Sequence, residues 1–225
     1  MIRLRHIYKS YRMGSMAVPV LKDINLHVRP QEFLSILGPS GSGKTTLMNI
    51  IGCLDVPDEG EYLLDGQPVE SCGEDELAEI RGKKIGFIFQ QFHLLPDATA
   101  YENVEMPLLY HKIPAAERKA RVEETLERVG LADRMTHKPA QLSGGQQQRV
   151  AIARVLAARP SIILADEPTG NLDSGSGREI MDIIRGLWQA GNTIVLITHD
   201  IHVANEAQRK VYVRDGVLSD REEDI

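Results

Sequence analysis

The sequence has little cysteine and no long hydrophobic run. Cys53 and Cys72 are the 2 cysteines among 225 residues, and neither has a histidine or cysteine near it at the spacing of metal ligands. We therefore interpret both as packing residues rather than as a disulfide or metal site. No stretch approaches the roughly 20 apolar residues that a membrane span requires. Because the first residues also lack the apolar core of a signal peptide, we expect a cytoplasmic chain.

The sequence also has fewer basic than acidic residues. Lysine and arginine total 26 against 32 aspartate and glutamate residues, which gives a formal net charge of −6. A nucleic-acid-binding protein usually has a basic excess, so the charge argues against nucleic acid as a partner. The contents of 42% hydrophobic and 26% charged residues are ordinary for a globular protein. A chain of this length can bury well over half of its unfolded surface without help from disulfides or metals.

The order of apolar patterns predicts an α/β fold. Strand-like and helical segments alternate at both ends of the chain, which favours a mainly parallel sheet covered on both faces. We predict one domain over residues 1–225, with a core of about 1–94 and 159–225 and a helical sub-lobe of about 95–158 inserted in it. Strand patterns cover residues 2–8, 20–28, 33–37, 84–89, 162–165 and 193–198; helical patterns cover 44–52, 99–111, 115–130, 146–158, 174–188 and 201–207.

A glycine-rich loop joins the strand pattern at 33–37 to the helical pattern after it. The loop fits the phosphate-binding pattern G-x-x-x-x-G-K-[ST] through Gly38, Pro39, Ser40, Gly41, Ser42, Gly43, Lys44 and Thr45. Glycines let successive backbone N–H groups face an anion, and the helix N-terminus adds partial positive charge. We expect Lys44 to reach the β- and γ-phosphates and the Thr45 hydroxyl to bind Mg²⁺. The loop predicts a nucleoside triphosphate, but kinases and GTPases share it.

Two carboxylates follow the apolar strand at 162–165. Ligands of parallel α/β sheets bind at the carboxyl ends of strands, so Asp166 and Glu167 are expected to face the nucleotide. Asp166 can hold Mg²⁺ through its water shell. Glu167 is placed to polarise the attacking water. A strand-ending turn with solvated acids is the alternative, which the phosphate loop disfavours.

A second anion-binding corner follows Leu142. Ser143, Gly144, Gly145 and Gln146 stand at the start of a helical pattern, where backbone N–H groups and the helix dipole favour phosphate. The chain thus has two such corners but one lysine loop. A two-fold, head-to-tail dimer resolves this mismatch, because each corner can complete the site of the other subunit.

Together these motifs resemble those of the ABC ATPase family, in the same order and over essentially the whole chain. The resemblance implies that Tyr11 stacks on adenine and that Gln90 contacts Mg²⁺ and the attacking water beside a membrane subunit. It implies that Asp173, in Asn171-Leu172-Asp173, belongs to the D-loop and that His199 contacts the γ-phosphate. The expected fold is an α/β P-loop NTPase core with an N-terminal antiparallel β subdomain and an inserted α-helical subdomain.

The resemblance also implies a full set of site residues and partners. ATP and Mg²⁺ are the expected cofactors, and an integral membrane permease and a second copy of the chain are the expected partners, with the chain peripheral on the inner face of the membrane. The expected catalytic residues are Glu167, His199, Gln90 and Lys44, and the metal-binding residues are Thr45, Gln90 and Asp166. The expected nucleotide-binding residues are Tyr11, Gly38, Pro39, Ser40, Gly41, Ser42, Gly43, Lys44, Thr45, Thr46, Gln90, Ser143, Gly144, Gly145, Gln146, Asp173 and His199.

Within the family, the segments around residues 47–55, 87–96 and 165–173 are similar to the LolD/MacB branch. That resemblance implies export or extraction of a lipoprotein, macrolide or peptide. An FtsE-like ATPase, which regulates a membrane partner without moving a substrate, stays open as an alternative. A DNA-maintenance ATPase is disfavoured because no long insertion separates Thr45 from Leu142, and a translation-type protein would normally have two such domains.

Overall fold

The computed structural model describes residues 1–14 and 16–224. The chain forms two compact units. The first contains Met1–Arg81 and Gly191–Ile225, and the second contains Gly82–Ala190.

The first unit has an antiparallel sheet made from the start of the chain. Its strands are β1 (Ile2–Met13), β2 (Met16–Val28), β4 (Glu59–Leu64) and β5 (Gln67–Pro68), in the order β2-β1-β4-β5. Along β1, the apolar residues Ile2, Leu4 and Ile7 are buried, whereas most residues between them are exposed. One face of the strand therefore packs inward, as its alternating pattern predicts.

The same unit contains parallel strands. β3 (Phe33–Leu37) lies between β8 (Thr193–Thr198) and β9 (Arg209–Arg214) and runs parallel to both, and β10 (Val217–Ser219) pairs antiparallel with β9. Every residue of β3 and β8 is buried, as expected for parallel strands covered on both faces. Leu37 pairs with Thr198, so the carboxyl ends of β3 and β8 lie side by side. The α-helices of this unit are α1 (Lys44–Ile51) and α7 (Ile201–Ala204), and most of α2 (Glu74–Lys84) also belongs to it.

The second unit combines a parallel strand pair with longer helices. β6 (Ile85–Ile88) runs parallel to β7 (Ile162–Asp166), with Ile88 opposite Ala165. Helices α3 (Ala100–Tyr110) and α5 (Gly144–Ala158) each begin with a capping box, in which a hydroxyl and the side chain three residues later satisfy backbone N–H groups reciprocally. The remaining helices are α4 (Ala115–Arg128) and α6 (Ser174–Gln189).

These elements confirm the predicted fold class: parallel strands with helices, an antiparallel sheet near the N-terminus and a run of helices in the middle of the chain. The proposed limits of the helical sub-lobe, residues 95–158, stay a prediction. Among the residues that the structure describes, no helix combines the length and the apolar character needed to cross a membrane.

Candidate nucleotide-binding and catalytic residues

The phosphate loop leaves the carboxyl end of β3 and enters α1. Gly41 and Gly43 have left-handed backbones, with φ of 79° and 107°, and Gly43 is the N-cap of α1. Such conformations are strained for residues with a side chain. The Lys44 ammonium donates to the carbonyl oxygens of Gly38 and Pro39, both at 2.7 Å. The Lys44 ammonium thus lies over the loop, within reach of an anion that the loop would bind.

The loop is held by close backbone contacts. A Cβ atom at Gly38 would lie 2.1 Å from the carbonyl oxygen of Val213 in β9. The N–H of Gly216, in the turn between β9 and β10, donates to the carbonyl oxygen of Ser42 at 3.0 Å. A Cβ atom at Gly216 would itself lie 2.3 Å from the carbonyl oxygen of Val20. The loop conformation therefore depends on glycines both inside the motif and outside it.

His199 lies next to the start of the loop. It follows Thr198, whose strand partner Leu37 precedes Gly38. A cavity of about 590 Å³ lies at the carboxyl ends of these two strands, and its lining includes Gly38, Pro39 and His199. The structure therefore brings the predicted γ-phosphate contact and the phosphate loop together within the first unit.

Tyr11 is exposed near the end of β1, and its ring is held in place by polar contacts. Its hydroxyl donates to Asp55 at 2.8 Å. The Lys9 ammonium lies 5.4 Å from the ring centroid, within cation–π range. Burial and the hydrogen bond to Asp55 raise the pKa of Tyr11, and a hydrogen bond with Thr46 in α1 acts in the opposite direction. The ring thus lies beside the first turn of α1.

An ion pair that the sequence motifs did not predict lies behind this ring. Lys9, only 7% exposed, donates to Asp55 and to the carbonyl oxygen of Val56, both at 2.7 Å. Burial alone would raise the pKa of Asp55, but hydrogen bonds from Lys9, Tyr11 and the Val56 N–H outweigh it and lower that pKa. For Lys9, burial acts to lower the pKa, but the nearby carboxylates of Asp55 and Asp58 outweigh it and raise that pKa.

In the second unit, the two carboxylates follow β7 as predicted. Asp166 is its last residue, and Glu167 comes next with a left-handed φ of 45°. The Glu167 carbonyl oxygen accepts from the N–H of Gly170 at 3.0 Å, which closes a tight turn after the strand. Both side chains are half-buried. The turn therefore sets the direction in which the Glu167 carboxylate leaves the backbone.

Gln90 lies shortly after β6 and is paired with the segment after Glu167. Its side-chain amide donates to Asn171 Oδ1 at 3.1 Å, and the Asn171 amide donates to the Gln90 carbonyl oxygen at 3.0 Å. The parallel pairing of β6 with β7 brings these segments to the same edge. Gln90 and the residues after Glu167 thus form one hydrogen-bonded group.

Residues 143–146, here called the Ser143 corner, form the capped N-terminus of α5. The Ser143 hydroxyl accepts from the Gln146 N–H at 3.3 Å, and the Gln146 side chain accepts from the Ser143 N–H at 2.9 Å. A Cβ atom at Gly145 would lie 2.9 Å from the Ser176 hydroxyl of α6. Glycine therefore lets α5 and α6 approach closely at this corner.

Asp173 has a structural role in the fold. It is the N-cap of α6, accepts from the N–H groups of Gly175 and Ser176, and bonds to the Ser176 hydroxyl. The Ser176 hydroxyl and these N–H groups lower its pKa. Its contact with a nucleotide stays a prediction.

A buried polar residue that the sequence motifs did not predict lies in α5. Gln148, in α5, is fully buried, and its side chain donates to the backbone carbonyl oxygens of Phe89, before Gln90, and of Pro168, after Glu167. Gln148 lies on the same face of α5 as the buried residues Gly145 and Ile152, and this helical spacing could have predicted that it is buried.

A strand leading through a glycine-rich lysine loop into a helix, together with a second strand that ends in paired carboxylates, defines a P-loop nucleotide hydrolase. Comparison with known proteins gives the particular family. Residues 21–170 match the family model described as ABC transporter. The chain belongs to the ABC transporter family, as an ATP-binding component that hydrolyses ATP.

Curated relatives agree with this assignment. The chain is 55% identical over 218 residues to the uncharacterized ABC transporter ATP-binding protein YvrO of Bacillus subtilis, covering 97% of this chain and 95% of that protein. It is 52% identical over 221 residues to the macrolide export ATP-binding/permease protein MacB of Brucella melitensis. That match covers 98% of this chain but 34% of MacB, so the chain spans about a third of the longer protein. The predicted resemblance to MacB is confirmed.

Solved structures show the same fold. The ATP-binding cassette MJ0796, in a dimeric post-hydrolysis state with ADP and phosphate, has a TM-score of 0.89 and 49% identity, with 97% of each chain covered. CbiO1 of Clostridium perfringens, part of an ABC transporter complex, has a TM-score of 0.88 and 30% identity, with 97% of this chain and 86% of that chain covered.

The ion pair behind Tyr11 yields a stability prediction. Asp55→Asn should lower the urea midpoint at pH 7, because it removes the carboxylate that accepts hydrogen bonds from Lys9 and Tyr11. We expect the free energy of unfolding to fall by about 1–3 kcal/mol. The folded-state pKa of Asp55 is lowered, so its stabilisation is present above the unfolded pKa of about 3.9 and is lost as the pH falls through the folded value. The difference between wild type and variant should therefore shrink below about pH 4.

The control for this measurement is Asp97→Asn, a substitution at an exposed carboxylate. It should leave the urea midpoint unchanged at pH 7 and below about pH 4. If the difference in free energy of unfolding between wild type and Asp55→Asn grows as the pH falls, the ion pair does not stabilise the fold as described.

Proposed function

We propose that this chain acts as one half of an ATP-driven homodimer that powers a membrane permease. One observation carries the proposal: glycine-containing segments begin two helices, at Gly43–Lys44 and at Ser143–Gly145, but only the first has the lysine of a phosphate loop. In a head-to-tail dimer, each Ser143 corner completes the phosphate site of the other subunit. The solved relative MJ0796 is dimeric, which supports the same arrangement here.

In this proposal the first unit supplies most of the phosphate contacts. Backbone N–H groups of Gly41–Lys44 and the α1 dipole hold the phosphates, and the Lys44 ammonium exchanges its two carbonyl partners for β- and γ-phosphate oxygens. Thr46 and Tyr11 lie beside this turn, with the Tyr11 ring exposed for stacking on adenine. The His199 side chain, in the cavity next to Gly38, donates to the γ-phosphate.

The residues for the hydrolytic step come from the second unit. Glu167 polarises the attacking water, and Gln90 orients it. Thr45, Gln90 and Asp166 offer hydroxyl, amide and carboxylate oxygens, the hard donors that suit Mg²⁺, so the chemistry of these side chains fits this ion. When bound, Mg²⁺ neutralises charge on the phosphate oxygens. Asp173 and Gln146 complete the proposed nucleotide contacts from the D-loop and the Ser143 corner.

The proposed partner is an integral membrane permease on the inner face of the membrane. The name of the MacB relative joins an ATP-binding part to a permease, and this chain matches about a third of that protein. The segment after Gln90 offers a contact surface, since Leu95 is 45% exposed and Phe92 and Leu94 are half-buried. Export or extraction of a lipoprotein, macrolide or peptide is the proposed transport task.

Lys44→Ala tests the phosphate contacts. Loss of a charged hydrogen-bond donor should weaken ATP binding by about 10- to 100-fold. Isothermal titration with ATP measures this, and Lys119→Ala, an exposed lysine of α4, is the control. Equal ATP affinity in Lys44→Ala and wild type would remove the role proposed for Lys44.

Glu167→Gln tests the catalytic role and the dimer together. The variant should bind ATP normally and lose hydrolysis by at least about 100-fold, because the amide cannot act as a base. Bound ATP should then persist and hold two subunits together on gel filtration. The exposed Glu127→Gln of α4 should behave as wild type. A Glu167→Gln protein that elutes only as monomer with saturating ATP would contradict the composite site.

Ser143→Arg tests the shared corner. The bulky cation should block closure of the dimer while leaving ATP binding to the monomer within about twofold, since the lysine loop is intact. Steady-state hydrolysis should lose its dependence on protein concentration and on cooperative ATP binding. Cooperative hydrolysis at the wild-type rate by Ser143→Arg would show that the corner does not act across subunits.

A further inference from the structure

Gln148 makes an unusual set of contacts for a buried side chain. It lies in α5 with no solvent exposure, and its side-chain Nε2 donates to the carbonyl oxygens of Phe89 at 3.2 Å and Pro168 at 2.8 Å. These acceptors are 59 and 20 residues away in sequence. A single amide nitrogen therefore joins three segments of the second unit.

The two acceptors flank the proposed catalytic residues. The Phe89 carbonyl belongs to the same planar peptide group as the N–H of Gln90. Pro168 directly follows Glu167, and its ring restricts the backbone φ angle at this position. Fixing the two carbonyls therefore limits how far the Gln90 and Glu167 backbones can shift relative to one another.

Polar contacts join the segments that contain Gln90 and Glu167. Gln90 is exposed and Glu167 is half-buried, and the contacts that join their segments are polar: the Gln90–Asn171 pair and the Gly170–Glu167 turn. Gln148 is the fully buried member of this set. Because it is shielded from water, its hydrogen bonds are the ones least open to exchange with solvent.

The hydrogen bonding of the buried Gln148 side chain is incomplete. Among the described residues, Gln148 Oε1 is buried without a hydrogen-bond partner. A buried acceptor left unpaired costs free energy, and this cost offsets part of the gain from the two bonds of Nε2. The two bonds of Nε2 therefore contribute less to folding than they would in a fully paired amide.

We propose that Gln148 is a positioning residue of the ATPase, which couples the Ser143 corner of a subunit to Gln90 and Glu167 of the same subunit. α5 begins at that corner, and Gln148 follows Ser143 by five residues, or about 7.5 Å along the helix axis. A shift of α5 when the corner engages the phosphate of a partner subunit moves the Gln148 amide and, with it, both carbonyls. This inference rests on the proposed function of the dimer.

Gln148→Met is the test variant, because methionine keeps the length of the side chain and removes both hydrogen bonds. We expect kcat to fall at least about tenfold, since small misplacements of catalytic groups have large effects on rate. The ATP dissociation constant should stay within about twofold, because the lysine loop is untouched. The matched control is Gln147→Met, which loses one bond to the Leu142 carbonyl and no bond to Phe89 or Pro168; its kcat should stay near that of wild type.

A fall in kcat with unchanged ATP affinity, confined to Gln148→Met, supports the proposal. An unchanged kcat, or equal losses in Gln148→Met and Gln147→Met, would overturn it. If Gln148→Met does not fold, Gln148→Leu replaces it. Failure of both to fold would also overturn the proposal, because Gln148 would then be needed for stability.

The double variant Gln148→Met/Glu167→Gln separates this inference from the proposed function. It should still form the ATP-bound dimer on gel filtration, because positioning of the catalytic group is not needed for nucleotide binding. If Glu167→Gln alone stays monomeric with ATP, the proposed function fails. If Glu167→Gln dimerises and the double variant does not, Gln148 acts on assembly and the positioning role fails.

Discussion

The close approach of backbone to backbone around the phosphate loop is the constraint on which the first unit depends. Gly38 and Gly216 each lie where a Cβ atom would come within 2.1–2.3 Å of a carbonyl oxygen. The Gly216 N–H also bonds to the Ser42 carbonyl. A loop built this way presents its remaining N–H groups without relying on side chains. The predicted anion site therefore depends on the backbone, and Lys44 would add charge to it.

Parallel pairing explains why residues far apart in sequence reach the same place within each unit. The pairing of Leu37 with Thr198 puts the phosphate loop beside His199. The pairing of Ile88 with Ala165 likewise puts the segment of Gln90 beside that of Glu167. Functional residues at carboxyl ends of strands thus follow from strand order, with no need for proximity along the chain.

Sequence patterns predicted much of this, and their failures have physical reasons. The bounds of the strands at 33–37 and 193–198 were correct because continuous apolar runs mark strands buried on both faces. α2 was missed because Leu77 is the only buried residue that the structure gives it, so its composition lacks an apolar period. Lys9 and Gln148 were missed because a buried polar residue depends on partners that only the folded chain supplies. Motifs predicted the reacting groups, whereas periodicity did not predict the buried polar residues that hold their segments.

Apolar packing holds the strands, whereas hydrogen bonds join the segments that follow β6 and β7, and this difference determines how each part can move. Strands β3, β6, β7 and β8 are held mainly by buried aliphatic residues, which pack at fixed volume and resist small displacements. The segments that follow β6 and β7 are joined by hydrogen bonds of Gln90, Asn171 and Gln148. Hydrogen bonds specify direction, and they can re-form after a shift that leaves the core intact. A segment held by apolar packing alone would move only if the core opened, whereas these two segments can shift relative to each other while the strands stay packed.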